Sequence, residues 1–297
     1  MDKNKIWSQF VQSSEELYRS RALRFRAENK DLWLDAMGIT DGMNVLELGC
    51  GGGIFCHRIK EFLPTCTVTG MDMDAGHIEY ATSKTAELGL DCKFVVGDAT
   101  ALPFANDTFD ATTSHTVLEH VPAQPFLSEQ YRVLKPGGTI SVMCVQTSMT
   151  IAPENWRPTK SEENDLLNKA WATAGDFDKE HGVGAYGLKP NEIAAALETA
   201  GFKNVNVKFI STGWYAPDNT NVSSELAIEM INVNRLHTLS SMTKALNIAP
   251  NALTEQEAAR LAELINQRYD ARADMYMKGE KLWDVACSTV LVASGVK

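Results

Sequence analysis

Nine residues, Val45 to Gly53 (VLELGCGGG), constrain this chain more than any other stretch. Val45, Leu46 and Leu48 read as a short buried strand, and Gly49, Gly51 and Gly53 break it at alternate positions. Ile54, Phe55, Ile59, Phe62 and Leu63 then recur at roughly helical spacing, so the glycines join a strand to a helix. Such a joint lets backbone approach a ligand closely, because glycine has no Cβ and reaches positive φ. The helix behind it presents free N–H groups and the positive end of its dipole. A nucleotide-like ligand suits that joint; the glycine spacing alone equally suits a tight turn with no ligand.

The runs that follow narrow the choice. Val68 to Met71 ends in Asp72 and Asp74, the first acid lying about twenty residues past the turn, where an α/β sheet places a ribose-binding carboxylate. Phe94-Val95-Val96 ends in Gly97-Asp98-Ala99, and a fourth run, Phe109 to His115, leads into Val117-Leu118-Glu119-His120-Val121. After a helix comes Arg132-Val133-Leu134-Lys135-Pro136-Gly137-Gly138, then a strand from Thr139 to Val145. Strand and helix patterns alternate at βαβ spacing, with helices expected over 53–63, 75–88 and 124–134, which requires a parallel sheet with right-handed crossovers.

In that order these motifs resemble the class I S-adenosylmethionine-dependent methyltransferases, in particular the small-molecule branch that includes the ubiquinone and menaquinone C-methyltransferases. The resemblance covers about residues 40–146 and, more loosely, 187–213 and 284–295. It implies an α/β, Rossmann-like sheet of seven mostly parallel strands, with an antiparallel hairpin at the edge whose last strand is Val285 to Ala293. It also implies S-adenosylmethionine as cofactor and S-adenosylhomocysteine as product. On that reading Gly49 and Gly51 admit the methionine and ribose portions, with Cys50 between them, and Glu47 braces the turn or meets the ammonium group through water. Asp72 accepts from both ribose hydroxyls, Met73 packs on the adenine, Asp98 accepts from the adenine amino group and the Ala99 N–H donates to a ring nitrogen. A cap of a helix or turn is the structural alternative for Asp98. Ser114 belongs to the cofactor set, and His115 beside it is the candidate catalytic base. Tyr18, in the leading arm, is the candidate to close the pocket; simple packing of the arm explains it as well.

A nicotinamide dinucleotide is the rival cofactor. Its turn would be G-x-G-x-x-G, giving a helix N-terminus to a pyrophosphate, whereas this turn is G-C-G-G-G with Glu47 two residues ahead of it. An acid there suits a zwitterionic amino acid better than a doubly charged phosphate.

Residues 1–40 read as a helical arm, 41–213 with 284–297 as the core, and 147–188 and 214–283 as helical insertions. The second insertion carries two apolar helices, one holding Leu226 to Leu246 and one opened by the Thr254 and Glu257 capping pair. If the sixth strand runs parallel to the others, both insertions and the arm meet above the ligand as a lid. Glu154, Trp156, His181 and Tyr186 are candidate substrate contacts, while Glu119 and His120 are expected to start a helix.

A net charge of −10 argues against a large nucleic-acid footprint. Arg19, Arg21, Arg24 and Arg26, placed on a helical wheel, spread around it and read as a solvated helix. Six cysteines show no paired metal spacing, so no metal is expected and a reducing compartment is. No stretch is apolar enough for a signal peptide or a span, making cytoplasmic the expected location. The function expected is methyl transfer to a small, partly apolar acceptor at O, N or C, with a homodimer open. The alternatives are a methyltransferase acting on a macromolecule and a cofactor-binding protein that does not methylate.

Overall fold

The computed structural model describes residues 5–152 and 162–297. The chain opens with an arm of separate pieces rather than one helix: a π-helical turn at Trp7–Val11, α1 at Ser14–Ala22, a 3₁₀ turn at Ala27–Asn29 and α2 at Lys30–Met37. The Ser13 side chain accepts from Glu16 N to start α1. Gly38, at φ 65°, ends α2 in the left-handed conformation.

Then follow β1 (Asn44–Leu48), α3 (Ile54–Phe62), β2 (Thr67–Asp72), α4 (Ala75–Leu88), β3 (Lys93–Val96), β4 (Phe109–His115), α5 (Ala123–Val133) and β5 (Leu134–Val145). The first insertion contributes α6 (Glu162–Ala174) and the short α7 (Phe177–Glu180), before α8 (Pro190–Thr199) and β6 (Lys203–Tyr215). The second insertion is the helical hairpin α9 (Ser224–Ile248) and α10 (Glu255–Met277), and β7 (Ala286–Val296) closes the sheet. α10 starts in the expected capping box of Thr254 and Glu257.

Strand order is β3-β2-β1-β4-β5-β7-β6, all parallel except β7, which is antiparallel to both neighbours. The order reverses between β1 and β4, the switch point beyond whose carboxyl ends ligands of such sheets sit. Register levels those ends: Leu48 lies opposite Met71 and Ser114, and Asp72 opposite Val96.

The period of two along each strand makes two apolar layers. Val45, Val68, Ala111 and Met143 pack under α2 and α3 through Trp33, Met37, Phe55 and Ile59. Leu46, Leu48, Met71, Ile140 and Val142 pack under α5 and α8 through Phe126, Leu127, Ile193 and Leu197. A third core belongs to the lid, where Met230, Ile231 and Val233 of α9 meet Leu261, Ile265 and Tyr269 of α10. Tyr215, Ala286 and Leu23 join it, so the ends of β6 and β7 and the arm are built into the lid. β6 runs on past Ile210 because it keeps pairing with β7, joining Tyr215 to Ala286 beyond a register shift at Gly213, while Ile151 bridges Cys287 on the other edge of β7.

The arm bridges core and lid. Ser8 donates from its backbone N and its Oγ to Asp74 (2.9 and 2.7 Å), and Ser14 Oγ meets His77 Nδ1 at 2.8 Å. On the other side Arg19 makes a two-pronged contact to Glu229 (3.0 and 2.8 Å), and Asn247 Nδ2 donates to the Gln9 carbonyl at 2.7 Å.

Candidate active site

The level strand ends enclose a cavity of about 420 Å³, within the range of small-molecule sites. Its floor is the glycine turn. Gly49 and Gly51 have φ of 66° and 52°, and a Cβ would sit 2.3 Å from Val117 Cγ2 at the first and 2.3 Å from Leu17 Cδ2 at the second. Both the conformation and the close approach therefore require glycine.

Glu47 is buried behind the turn. Its Oε2 accepts from Cys56 N at 3.0 Å and Cys56 Sγ at 2.9 Å, tying β1 to the first turn of α3. Burial pushes its carboxyl up to about 8, so it is protonated near neutrality. Asp72 is also buried, which raises its carboxyl above the usual range. Its Oδ2 accepts from Gly51 N and its Oδ1 from Asp74 N, both at 2.9 Å. Each oxygen thus has one backbone donor and a further lone pair for a ligand diol.

Asp98 and Ala99 line the cavity as expected, with exposed Met73 beside them. Asp98 Oδ1 accepts from Thr100 N and Oγ1, both at 2.7 Å, so the turn-capping role weighed for it is present together with its cavity position. Cys50 lines the cavity too.

Two expected contacts do not reach it. Ser114 is buried and absent from the lining, because the alternation of β4 turns it away while the next residue, His115, faces in. Tyr18 packs the arm down instead of closing the pocket: its hydroxyl meets His57 Nδ1 at 3.2 Å, and burial raises that hydroxyl to about 12. Trp7, Val11, Leu17, Arg21 and Phe25 of the arm form the roof in its place.

His115 is nine-tenths buried, its Nε2 has no hydrogen-bond partner, and the Phe25 ring stands edge-on at 5.5 Å. Burial, and then the charges of Arg21 and Arg24, hold the imidazole well below its ordinary range, so it is neutral near pH 7. His120 sits in a 3₁₀ turn, Leu118–His120, rather than at a helix start. It lines the cavity, packs edge-on against Trp7 at 4.6 Å and accepts from Gly184 N at 2.9 Å. From the first insertion His181, Gly182 and Val183 reach the cavity, whereas Tyr186 is exposed outside it. Glu154 and Trp156 lie outside the described residues.

No residue of α9 or α10 lines the cavity among the described residues. The second insertion therefore backs the arm from outside and does not form the chamber wall. The arginines of the arm also depart from the expected solvated helix. α1 ends at Ala22, so the helical wheel does not extend to Arg24 and Arg26; both are half-buried, as is Arg21, which faces the cavity. Among the described residues, no group of three or more His, Cys, Asp or Glu side chains could hold a metal, and no helix is long and apolar enough to cross a membrane.

A sheet of this order with a glycine turn and two acids at its switch point defines a Rossmann-like class, and the comparisons with known proteins agree. A family model described as a methyltransferase domain matches residues 39–201, more than half of the chain. The chain belongs to that family. It is 31% identical over 190 residues to the sterol 24-C-methyltransferase ERG6A of Gibberella zeae, covering 61% of this chain and 46% of that protein. It is 38% identical over 119 residues to a demethylmenaquinone methyltransferase of Staphylococcus aureus, covering 39% and 48%. The chain thus spans about half the length of these curated relatives. Among solved structures, Haemonchus contortus phosphoethanolamine N-methyltransferase 2 in complex with S-adenosyl-L-methionine aligns over 100% of this chain and 61% of that one, at TM-score 0.53 and 15% identity. The [4+2]-cyclase SpnF aligns over 93% and 80%, at 0.50 and 18%. At such identities the likeness concerns the fold alone.

Proposed function

We propose that this protein transfers a methyl group from S-adenosylmethionine to a small, partly apolar acceptor at O, N or C. One observation carries the reading: the Gly49–Gly51 turn, Asp72 and Asp98 converge on a single cavity whose other walls are largely apolar, Trp7, Val11, Phe25, Phe55 and Val121 among them. The free lone pairs of Asp72 take the ribose diol, Met73 and Ala99 flank the adenine, and the glycine turn admits the methionine portion. Glu47, protonated and engaged with Cys56, holds the turn without adding charge.

When bound, the sulfonium supplies an activated methyl group and leaves neutral, so the chain's task is alignment. Orientation is worth about 7–11 kcal/mol, against roughly 10²–10⁴-fold for a general base. The roof residues Leu17 and Phe25 and the wall residue Val117 hold the acceptor in line and exclude water. His115 is the side chain placed to orient the acceptor or take its proton at Nε2.

Calorimetry with S-adenosylhomocysteine tests the cofactor half. The unaltered protein binds it, and Asp72→Ala weakens binding by at least about tenfold, the value of a hydrogen bond to a charged group, with circular dichroism unchanged. Equal affinity in the variant removes the ribose role. Mass-spectrometric detection of S-adenosylhomocysteine formed during incubation with candidate acceptors separates methyl transfer from binding alone.

A further inference from the structure

The roof of the cavity carries a guanidinium, that of Arg21, which no carboxylate among the described residues meets in an ion pair. Leu17 and Arg21 stand four residues apart on α1, hence on one face, and both line the cavity. The only hydrogen bond of the Arg21 guanidinium among the described residues runs from Nη1 to Ser20 Oγ at 3.3 Å. Glu16 and Glu119 act on it through their charge, but neither closes to an ion pair. Glu16 is engaged by Gln12 Nε2 at 2.7 Å and His237 Nδ1 at 3.0 Å, and Glu119 is half-buried, its Oε2 buried without a partner. Behind Arg21, Arg24 lies over the Trp214 ring at 5.5 Å, and its buried Nε has no partner. Facing the cavity below them is the unpartnered Nε2 of nine-tenths buried His115.

In a chain of net charge −10, a guanidinium at the chamber wall and a second behind it, neither in an ion pair among the described residues, are costly unless a ligand answers the one that faces the cavity. Arginine is also the side chain best shaped to meet a carboxylate or phosphate through paired N–H groups.

We infer that the acceptor is an amphiphilic anion, an apolar body bearing a carboxylate or phosphate, whose charged end is held by Arg21 beside His115 under the arm. This rests on the methyl-donor reading and specifies its second substrate. An anion in that position also offsets the two guanidinium charges that weaken His115 as a base. Arg21 is a binding residue here and takes no part in bond making.

The probe is octanoate, titrated calorimetrically into the unaltered protein saturated with S-adenosylhomocysteine, beside 1-octanol and octyl phosphate. Octanoate or octyl phosphate is expected to bind at least tenfold more tightly than 1-octanol, the tighter of the two naming the acceptor's anion. Arg21→Gln abolishes that preference while leaving S-adenosylhomocysteine affinity unchanged, and Arg21→Lys, which keeps the charge, retains part of it. The inference is overturned if neither anion is preferred to the alcohol, or if both arginine variants bind the anions like the unaltered protein. It is equally overturned if they lose S-adenosylhomocysteine instead, which would assign Arg21 to the cofactor's own carboxylate. Failure of the unaltered protein to bind S-adenosylhomocysteine at all would remove the methyl-donor reading itself.

Discussion

Glu47 shows how one side chain can brace a site and tax the fold in the same act. In the native protein it keeps its proton up to about pH 8, while in the unfolded chain it releases it near 4.5. Across that window the unfolded state binds fewer protons, so stability present below 4.5 is lost as the pH rises, by up to about 1.4 kcal/mol per pH unit. His57 has the opposite sign: burial lowers it to about 4 from 6.5, so its share of stability is lost as pH falls through that interval. Glu47→Gln, which keeps an acceptor for Cys56 N, is expected to flatten the decline between pH 5 and 8 in urea titrations and leave the acid limb in place. A variant with the slope of the unaltered protein would show that Glu47 is ionised when folded. At this scale the sequence was readable where a residue's neighbours are its own chain, as with Gly49, Gly51, Asp72 and His115. It was not readable for Ser114, whose direction depends on strand register, or for Arg21, Arg24 and Arg26, whose burial depends on where α1 stops.

Among the elements, the start of the arm is tied to the core by Asp74, beside the apolar packing of Tyr18, Phe25 and Trp33 further along. One carboxylate caps α4 through Gly76 N and His77 N and receives Ser8 N and Oγ. Asp74→Ala removes cap and anchor together and is expected to cost about 2 kcal/mol or more. Limited proteolysis should then cut between residues 5 and 22 well before it cuts the sheet; unchanged protection would mean that the contacts to α9 suffice. α4 and β4 match their expected bounds because acids and glycines punctuate them sharply. The helical arm expected over residues 1–40 is broken into pieces, since apolar spacing shows that a segment packs without showing where it bends. The ribbon end of β6 was hidden for a related reason: Ser211, Thr212 and Gly213 lack the apolar alternation of a strand, and their order comes from β7.

For the whole molecule, the separate lid core raises the question of whether the lid melts on its own. It shares β6, β7 and Leu23 with the rest, so a single calorimetric transition is expected, and two resolved transitions would refute that coupling. S-adenosylhomocysteine at a hundredfold its Kd should stabilise the protein by about 2.7 kcal/mol and raise the whole transition together. The parallel sheet was legible because strand and helix patterns alternate over residues 41–146, while the seventh strand and the antiparallel edge came with the family resemblance. The position of the second insertion was not, because nothing in α9 or α10 says which side of the arm they take.

The continuation of β6 and β7 past the body of the sheet is moored on both of its sides. Beyond Ile210 and Val290 the paired strands carry the helical hairpin, and the start of the first insertion runs along the outer edge of β7 through Gln146 N to the Thr289 carbonyl at 2.8 Å and the Ile151–Cys287 bridge. Any tilt of the hairpin is therefore resisted by the sheet and the first insertion together, and what movement remains is passed to the roof of the chamber through Glu229 and Arg19.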